Sequence, residues 1–264
     1  MIPYITTMKG AFDLTGKNAI VTGGNGGIGL GIAKALAECG ANVGIFCRNM
    51  DKAKTALEQL SEIGGKHKAY PCDVLKLDSI KEAANAFNAD FGDIDILINN
   101  SGVGTGGRFL DQDENLTDWH FCIDTDLSGV AHVTYVVGNI MRKQGKGGSI
   151  VNISSNAALT VNKGFGLSAY AAAKAGVNQL TKSLAYEFGE FDVRINAICP
   201  GFTRAGFGEN PAQAMLDLVA AQQPLPRMGE AIEMGALAVF LVSPASAHIT
   251  GEIIAVDGGY TLAT

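Results

Sequence analysis

The 264-residue sequence is poor in charge, in aromatic side chains and in proline: 17% Asp, Glu, Lys and Arg, 7% aromatics, a single Trp and seven Pro. It has no basic tract, and its formal net charge is −6. That balance argues against a nucleic-acid-binding surface. No apolar run approaches the ~20 residues of a membrane span, and the opening MIPYITTMKGAFDLTGK lacks the basic start and apolar block of a secretion signal. The five cysteines (Cys39, Cys47, Cys72, Cys122, Cys199) are scattered and odd in number, without a CxxC pair or a nearby His at metal-ligand spacing. They read as buried thiols of a reducing compartment, so neither a disulfide framework nor a bound metal is expected. Together these absences leave a cytoplasmic protein with small-molecule partners and no nucleic-acid or membrane partner.

What the sequence does have is glycine, 34 residues, and apolar side chains, 47%. The length fits one large domain, 1–264, with a sizeable core. Short β-rich apolar runs alternate with amphipathic helical stretches along almost the whole chain. The runs are NAIVTG, ANVGIFC, HKAYPCDV, IDILINNSG, GSIVNISS, VRINAICPG and EIIAVDGGY. A long helical pattern covers about 116–144. This alternation predicts an α/β domain, a doubly wound parallel sheet of about seven strands with helices on both faces. Gly and Pro interrupt the pattern over about 202–228, which is expected to be a variable, mobile segment near the strand ends, where ligands of such sheets bind.

Two stretches carry chemistry. In TGGNGGIG, Gly23, Gly27 and Gly29 follow the first strand directly and open a helix. Glycine permits a tight turn and close backbone approach to a pyrophosphate, and the helix N-terminus supplies unpaired N–H groups. In LSAYAAAKAG, Tyr170 and Lys174 stand four residues apart in an alanine-rich run, hence on one helix face, about one turn apart. A free phenol has a pKa of about 10, and an adjacent ammonium is expected to lower that value toward the working range of an acid or base.

The T-G-x-x-x-G-x-G spacing resembles that of the short-chain dehydrogenase/reductase family, and further motifs in the same order extend the resemblance from Gly16 to Tyr260. CDV is similar to the family's adenine-contacting turn, NNSG to its N-N-A-G, YAAAK to Y-x-x-x-K, CPG to the P-G turn beside the nicotinamide, and VDGGY to its C-terminal strand. The resemblance implies a Rossmann-type fold and an NAD(P)-dependent oxidoreductase acting on a secondary alcohol or ketone. It implies cofactor contacts at Gly23, Asn25, Gly27, Ile28, Gly29, Arg48, Asn49, Asp73, Val74, Asn100, Gly102, Tyr170, Lys174, Pro200, Gly201 and Thr203. Tyr170 would exchange the proton with the substrate oxygen, Lys174 would hold the nicotinamide ribose, and a serine would bind the substrate oxygen. Ser155 is the choice for that serine, with Ser154 as a structural neighbour. A homotetramer built on two long helices and the last strand is also implied.

The sequence departs from the family pattern at several positions. Asp126, in TDLSG, occupies the place of a catalytic asparagine that holds a water linked to the lysine. A carboxylate accepts but does not donate hydrogen bonds unless protonated, so an electrostatically altered relay is expected. Ala205 replaces a threonine that touches the cofactor phosphates in many members. At the end of the second strand Cys47 stands where NAD users carry an acid, followed by Arg48 and Asn49. Nothing there repels a 2′-phosphate, which favours NADP over NAD, although NAD is still possible. The opening of the chain looks most like sugar-acid oxidoreductases. Reductases of 3-oxoacyl chains, steroids and small carbonyl compounds are alternatives, and a non-catalytic NADP-binding sensor is a more distant one. Arg204 and Arg227 are candidate partners for a substrate carboxylate, and Phe202, Phe207, Met215 and Leu218 suit an apolar substrate or plain packing.

Overall fold

A computed structural model describes residues 7–104, 106–205 and 211–262. Its core is one seven-stranded sheet in the order β3-β2-β1-β4-β5-β6-β9. The strands are β1 (Asn18–Thr22), β2 (Asn42–Cys47), β3 (His67–Pro71), β4 (Ile96–Asn99), β5 (Gly148–Ile153), β6 (Val193–Pro200) and β9 (Ile253–Val256). Every pairing is parallel. All seven strands fall within the runs expected from the sequence.

The crossovers are helical: α1 (Gly27–Glu38), α2 (Met50–Ser61), α3 (Leu77–Phe91), α4 (Thr117–Ile123), α5 (Gly129–Gln144), α6 (Ser168–Phe188) and α8 (Ala231–Val242). Alternation along β1 shows how both sheet faces are covered. Ala19 and Val21 join a core with α1, α2 and α8, while Ile20 between them joins the opposite core with Phe87 of α3 and Val137 of α5. Helices α1 and α8 pack at glycines. A Cβ on Gly31 would lie 2.5 Å from the Ala231 Cβ, and one on Gly235 would lie 2.6 Å from the Ala35 Cβ.

The structure adds detail at two places. The long helical pattern over 116–144 is interrupted: a turn of π-helix, Asp124–Ser128, joins α4 to α5. The inserted residue rotates the face of the helix, and Thr125 and Asp126 are buried there. The segment over 202–228 is not wholly irregular. It includes β7 (Thr203–Arg204), paired with β8 (Gly229–Glu230), and α7 (Gln213–Gln222), of which only Val219 is fully buried. Phe207 lies outside the described residues. Among the described residues no helix is long and apolar enough to cross a membrane.

Candidate active site

The strand order reverses between β1 and β4, and their carboxyl ends open into a cleft of about 920 Å³. At one end the turn after β1 wraps over the start of α1. Gly23 takes φ +65, and a Cβ on Gly29 would sit 2.4 Å from Asn100 Nδ2 and 2.5 Å from the Gly23 carbonyl oxygen. The Asn100 amide donates to the carbonyls of Thr22 and Gly23, and Thr22 Oγ1 accepts from the backbone N–H of Asn100 and Ser101. The end of β4 thus locks the shape of the loop. The first turn of α1 has neither a side-chain cap nor an acidic residue, so its N–H groups and dipole face the cleft with no internal anion to satisfy them.

Beside this loop, Asn49 caps α2, its side chain accepting from the Lys52 N–H at 2.9 Å, and its carbonyl accepts from the Asn25 amide at 3.2 Å. Arg48 and Lys52 are exposed and line the same end of the cleft, with Asp73 and Val74 across from them. Cys47 and Cys72 also line it. Burial raises both thiols, Cys72 to about 12, which keeps them protonated and poorly reactive.

The other end collects Ser155, Tyr170, Lys174 and Asp126. Tyr170 and Lys174 stand in the first two turns of α6. Lys174 is 3% exposed. Its ammonium donates to the Ile153 carbonyl at 3.0 Å, lies 3.2 Å from Asp126 Oδ2 and sits 5.6 Å from the centre of the Tyr170 ring. Burial acts to lower the Lys174 pKa, but the neighbouring Tyr170 and Asp126 outweigh it and hold the ammonium above its ordinary value. Burial pushes the Asp126 carboxyl up, opposed by Lys174 and by the Val103 N–H, which donates to Oδ1 at 2.6 Å. The carboxylate therefore reaches the lysine directly, as an ion pair, where the sequence suggested a link through water. Ser154 and Ser155 are also separated by their partners. Ser154 Oγ donates to the Lys174 carbonyl at 3.1 Å, tying β5 to α6, whereas Ser155 heads the following turn, accepting from the Ala157 N–H at 3.1 Å.

Of the catalytic and cofactor-contacting residues named from the sequence, all line this one cleft except Gly29, and of the apolar candidates Phe202 and Met215 line it while Leu218 does not. Gly29 lies beneath the loop, where it lets the loop close on Asn100. Pro200, Gly201 and Thr203 border the Tyr170 end, and Thr203 Oγ1 donates to the Gly201 carbonyl at 3.0 Å. Asn99 and Asp257, each within a matched motif, have structural partners. Asn99 bonds Thr134 and Asn152, and Asp257 caps the backbone N–H groups of Gly259 and Thr261. The structure does not bring Arg204 or Arg227 to the cleft. Arg204 pairs with Glu230 at 3.5 Å, and Arg227 forks onto Glu233 at 2.6 and 2.9 Å. Lining residues that the sequence did not single out include Lys52, Val103, Thr125, Phe165, Pro211 and Met228. Lys52 had a signal in the sequence, since it stands three residues after the cap of α2. Phe165 had none, because it sits on a loop without a motif, and Val103 follows directly on NNSG without belonging to it.

A family model described as enoyl-(acyl carrier protein) reductase matches residues 23–261. The oxidoreductase UcpA of Salmonella typhimurium is 39% identical over 257 residues, covering 94% of this chain and 96% of that protein. Among solved structures, a short-chain type dehydrogenase/reductase from Mycobacterium marinum superposes with a TM-score of 0.92 at 33% identity, covering 97% of this chain and 99% of that one. The NADPH-dependent 3-quinuclidinone reductase of Rhodotorula rubra gives a TM-score of 0.90 at 32% identity, covering 99% and 97%.

Proposed function

The chain belongs to the short-chain dehydrogenase/reductase family, and on that premise we propose that it interconverts a secondary alcohol and a ketone with NADP(H), using Tyr170 as acid and base. The observation that carries this reading is the convergence of Ser155, Tyr170 and the buried Lys174 on one end of a cleft whose other end is a glycine loop. A nicotinamide dinucleotide fits the residues present. The uncapped start of α1 suits a pyrophosphate, the length of the cleft separates the glycine loop from Tyr170, and Arg48 with Lys52 suits a 2′-phosphate. Cys47 brings no negative charge to that end. When bound, the cofactor supplies or accepts the hydride.

The protein's own groups do the rest. Ser155 donates a hydrogen bond to the substrate oxygen and holds it beside Tyr170, which gives its phenolic proton to that oxygen in reduction and takes it back in oxidation. Lys174, fixed by the Ile153 carbonyl and Asp126, keeps a positive charge next to the phenol and holds ribose hydroxyls. Asp126 keeps that ammonium in place. Assembly as a homotetramer belongs to the same reading, and light scattering checks it. A sensor without catalysis would have no use for these three side chains in one cleft.

The sugar-acid preference now lacks the two arginines that would have supported it, since both are paired outside the cleft. The test of the reading is absorbance of the reduced nicotinamide with a panel of ketones. Turnover of NADPH that falls by about 100- to 10,000-fold in Tyr170→Phe, with NADPH binding retained, is the expected result. Equal turnover in the variant overturns it.

A further inference from the structure

We propose that the substrate part entering this cleft is an uncharged, predominantly apolar ketone or the matching secondary alcohol, and that carbonyl compounds bearing a carboxylate or phosphate are rejected. The proposal rests on the reductase reading above. Its basis is the distribution of charge along the cleft wall. Five charged side chains line it among the described residues: Arg48, Lys52 and Asp73 at the glycine-loop end, and Asp126 with Lys174 at the other. The last two neutralise each other as a buried ion pair. The wall beyond Tyr170 is made by Phe165, Phe202, Pro211, Met215 and Met228.

Arg204 and Arg227, the cations of the segment over 202–228, are engaged elsewhere, and Arg108 and Lys163, on the two loops beside Phe165, are exposed to solvent and do not line the cleft. The Arg227 guanidinium is held by both carboxylate oxygens of Glu233 and by the Met228 carbonyl, and Arg204 lies exposed against Glu230. Positions 105 and 206–210 lie outside the described residues and are Thr, Gly, Phe, Gly, Glu and Asn in the sequence, none of them basic. A carboxylate or phosphate buried here would lose its water and gain no partner, an arrangement proteins avoid. The net charge of −6 adds a repulsive field.

Apolar surface continues inward and outward from that wall. Inward, the Phe202 ring meets Phe165 at 5.6 Å and the buried Tyr260 at 5.4 Å between centroids. Outward, the loop bearing Phe165 bonds a second loop through the Gly107 N–H and the Gly166 carbonyl, 3.0 Å apart. These two loops expose Val161, Phe109 and Leu110, the last at 92%. Hydroxyl-rich sugars are poorly served as well. Of the polar side chains at this end, Ser155 and Tyr170 are engaged by the reacting oxygen, the Ser154 and Thr203 hydroxyls donate to the Lys174 and Gly201 carbonyls, and Thr125 Oγ1 is buried, leaving few exposed donors for a polyol.

The experiment compares benzylacetone, its para-carboxyl derivative and sorbose on the wild-type protein loaded with NADPH. Binding is read from nicotinamide fluorescence and turnover from absorbance. Benzylacetone is expected to bind saturably, with a kcat/KM about 100-fold or more above that of the carboxylate and of sorbose. Equal or better use of the carboxylate or of sorbose overturns the proposal, as does failure of benzylacetone to bind. Saturable binding of benzylacetone alone, without turnover, upholds the specificity and overturns the reductase reading instead. Met215→Arg supplies the absent cation and is expected to narrow the gap between the matched ketones by about tenfold. An unchanged ratio in the folded variant overturns the argument that the lack of a cation sets the preference.

Discussion

At the glycine-loop end of the cleft a single methyl group has no room: a Cβ on Gly29 would fall 2.4 Å from Asn100 Nδ2. At the far end Phe165, Phe202, Met215 and Met228 form the wall, and α7, which carries Met215, buries only Val219 fully. The first region is specified by backbone shape and hydrogen bonds that few residue types satisfy. The second is specified by volume and apolarity, which many residue types satisfy. A cofactor common to a whole family suits the first kind of construction, and a substrate that differs between members suits the second.

Gly29→Ala against Met215→Leu breaks or sharpens this contrast most directly. The alanine is expected to lose about 1–3 kcal/mol of stability in urea unfolding and to weaken NADPH binding, because the new methyl displaces Asn100 and the loop it holds. Met215→Leu, which roughly conserves volume, is expected to change stability by less than about 1.5 kcal/mol and to alter KM for the ketone only. Comparable losses in both variants would remove the distinction.

Arg48→Ala asks whether the cofactor end is selective through side chains as well as through backbone. Loss of the guanidinium is expected to reduce kcat/KM for NADPH by about 10- to 100-fold, the range of one charge-assisted contact, and to leave NADH nearly unaffected. A parallel fall with both cofactors would assign Arg48 to general packing.

These differences also explain what was legible in the sequence. The alternating runs located all seven strands because a doubly covered sheet needs continuous apolar segments. Gly23, Gly27, Tyr170 and Lys174 were legible because spacing sets their geometry, and Asn100 through the resemblance of NNSG to the family motif. The π-turn at Asp124–Ser128 was not, since TDLSG reads as ordinary helix and the inserted residue shows only in the register of hydrogen bonds. Nor could the sequence tell that Asp126 pairs directly with Lys174, a contact between helices distant in the chain. Arg204 and Arg227 misled for a related reason. Their acid partners, Glu230 and Glu233, stand outside the segment in which the arginines were noticed.

Asp126→Asn probes the place where the two regions meet. The ammonium of Lys174 is held up by Tyr170 and Asp126 against the effect of burial. Removing the carboxylate charge lets burial act with less opposition, so Lys174 loses its proton at lower pH. The alkaline limb of the kcat/KM profile is expected to move to lower pH. An unchanged limb, or one displaced upward, would show that the ion pair does not set the charge of the lysine.

The smallest effect is expected from Glu233→Gln, which loosens the tie between the substrate-side segment and α8. Glu233 forks onto Arg227 and also accepts from the Glu230 N–H at 2.7 Å, closing the capping box at the start of α8. The Gln amide oxygen can still accept from the Glu230 N–H, so the loss is that of the exposed ion pair, under about 1 kcal/mol. Its Arg227 and Glu230 partners hold the Glu233 carboxyl at about 2, below its ordinary 4.5. A depressed carboxylate stabilises the fold above its unfolded value and loses that contribution as pH falls toward its folded one. The stability gap between wild type and variant in urea unfolding should therefore be constant above pH 4.5 and close as pH approaches 2. A gap that persists at the acid end would mean that Glu233 acts through packing. The substrate-side segment would then be joined to α8 by more than surface charge, and the contrast between the two regions would be weaker than their burial suggests.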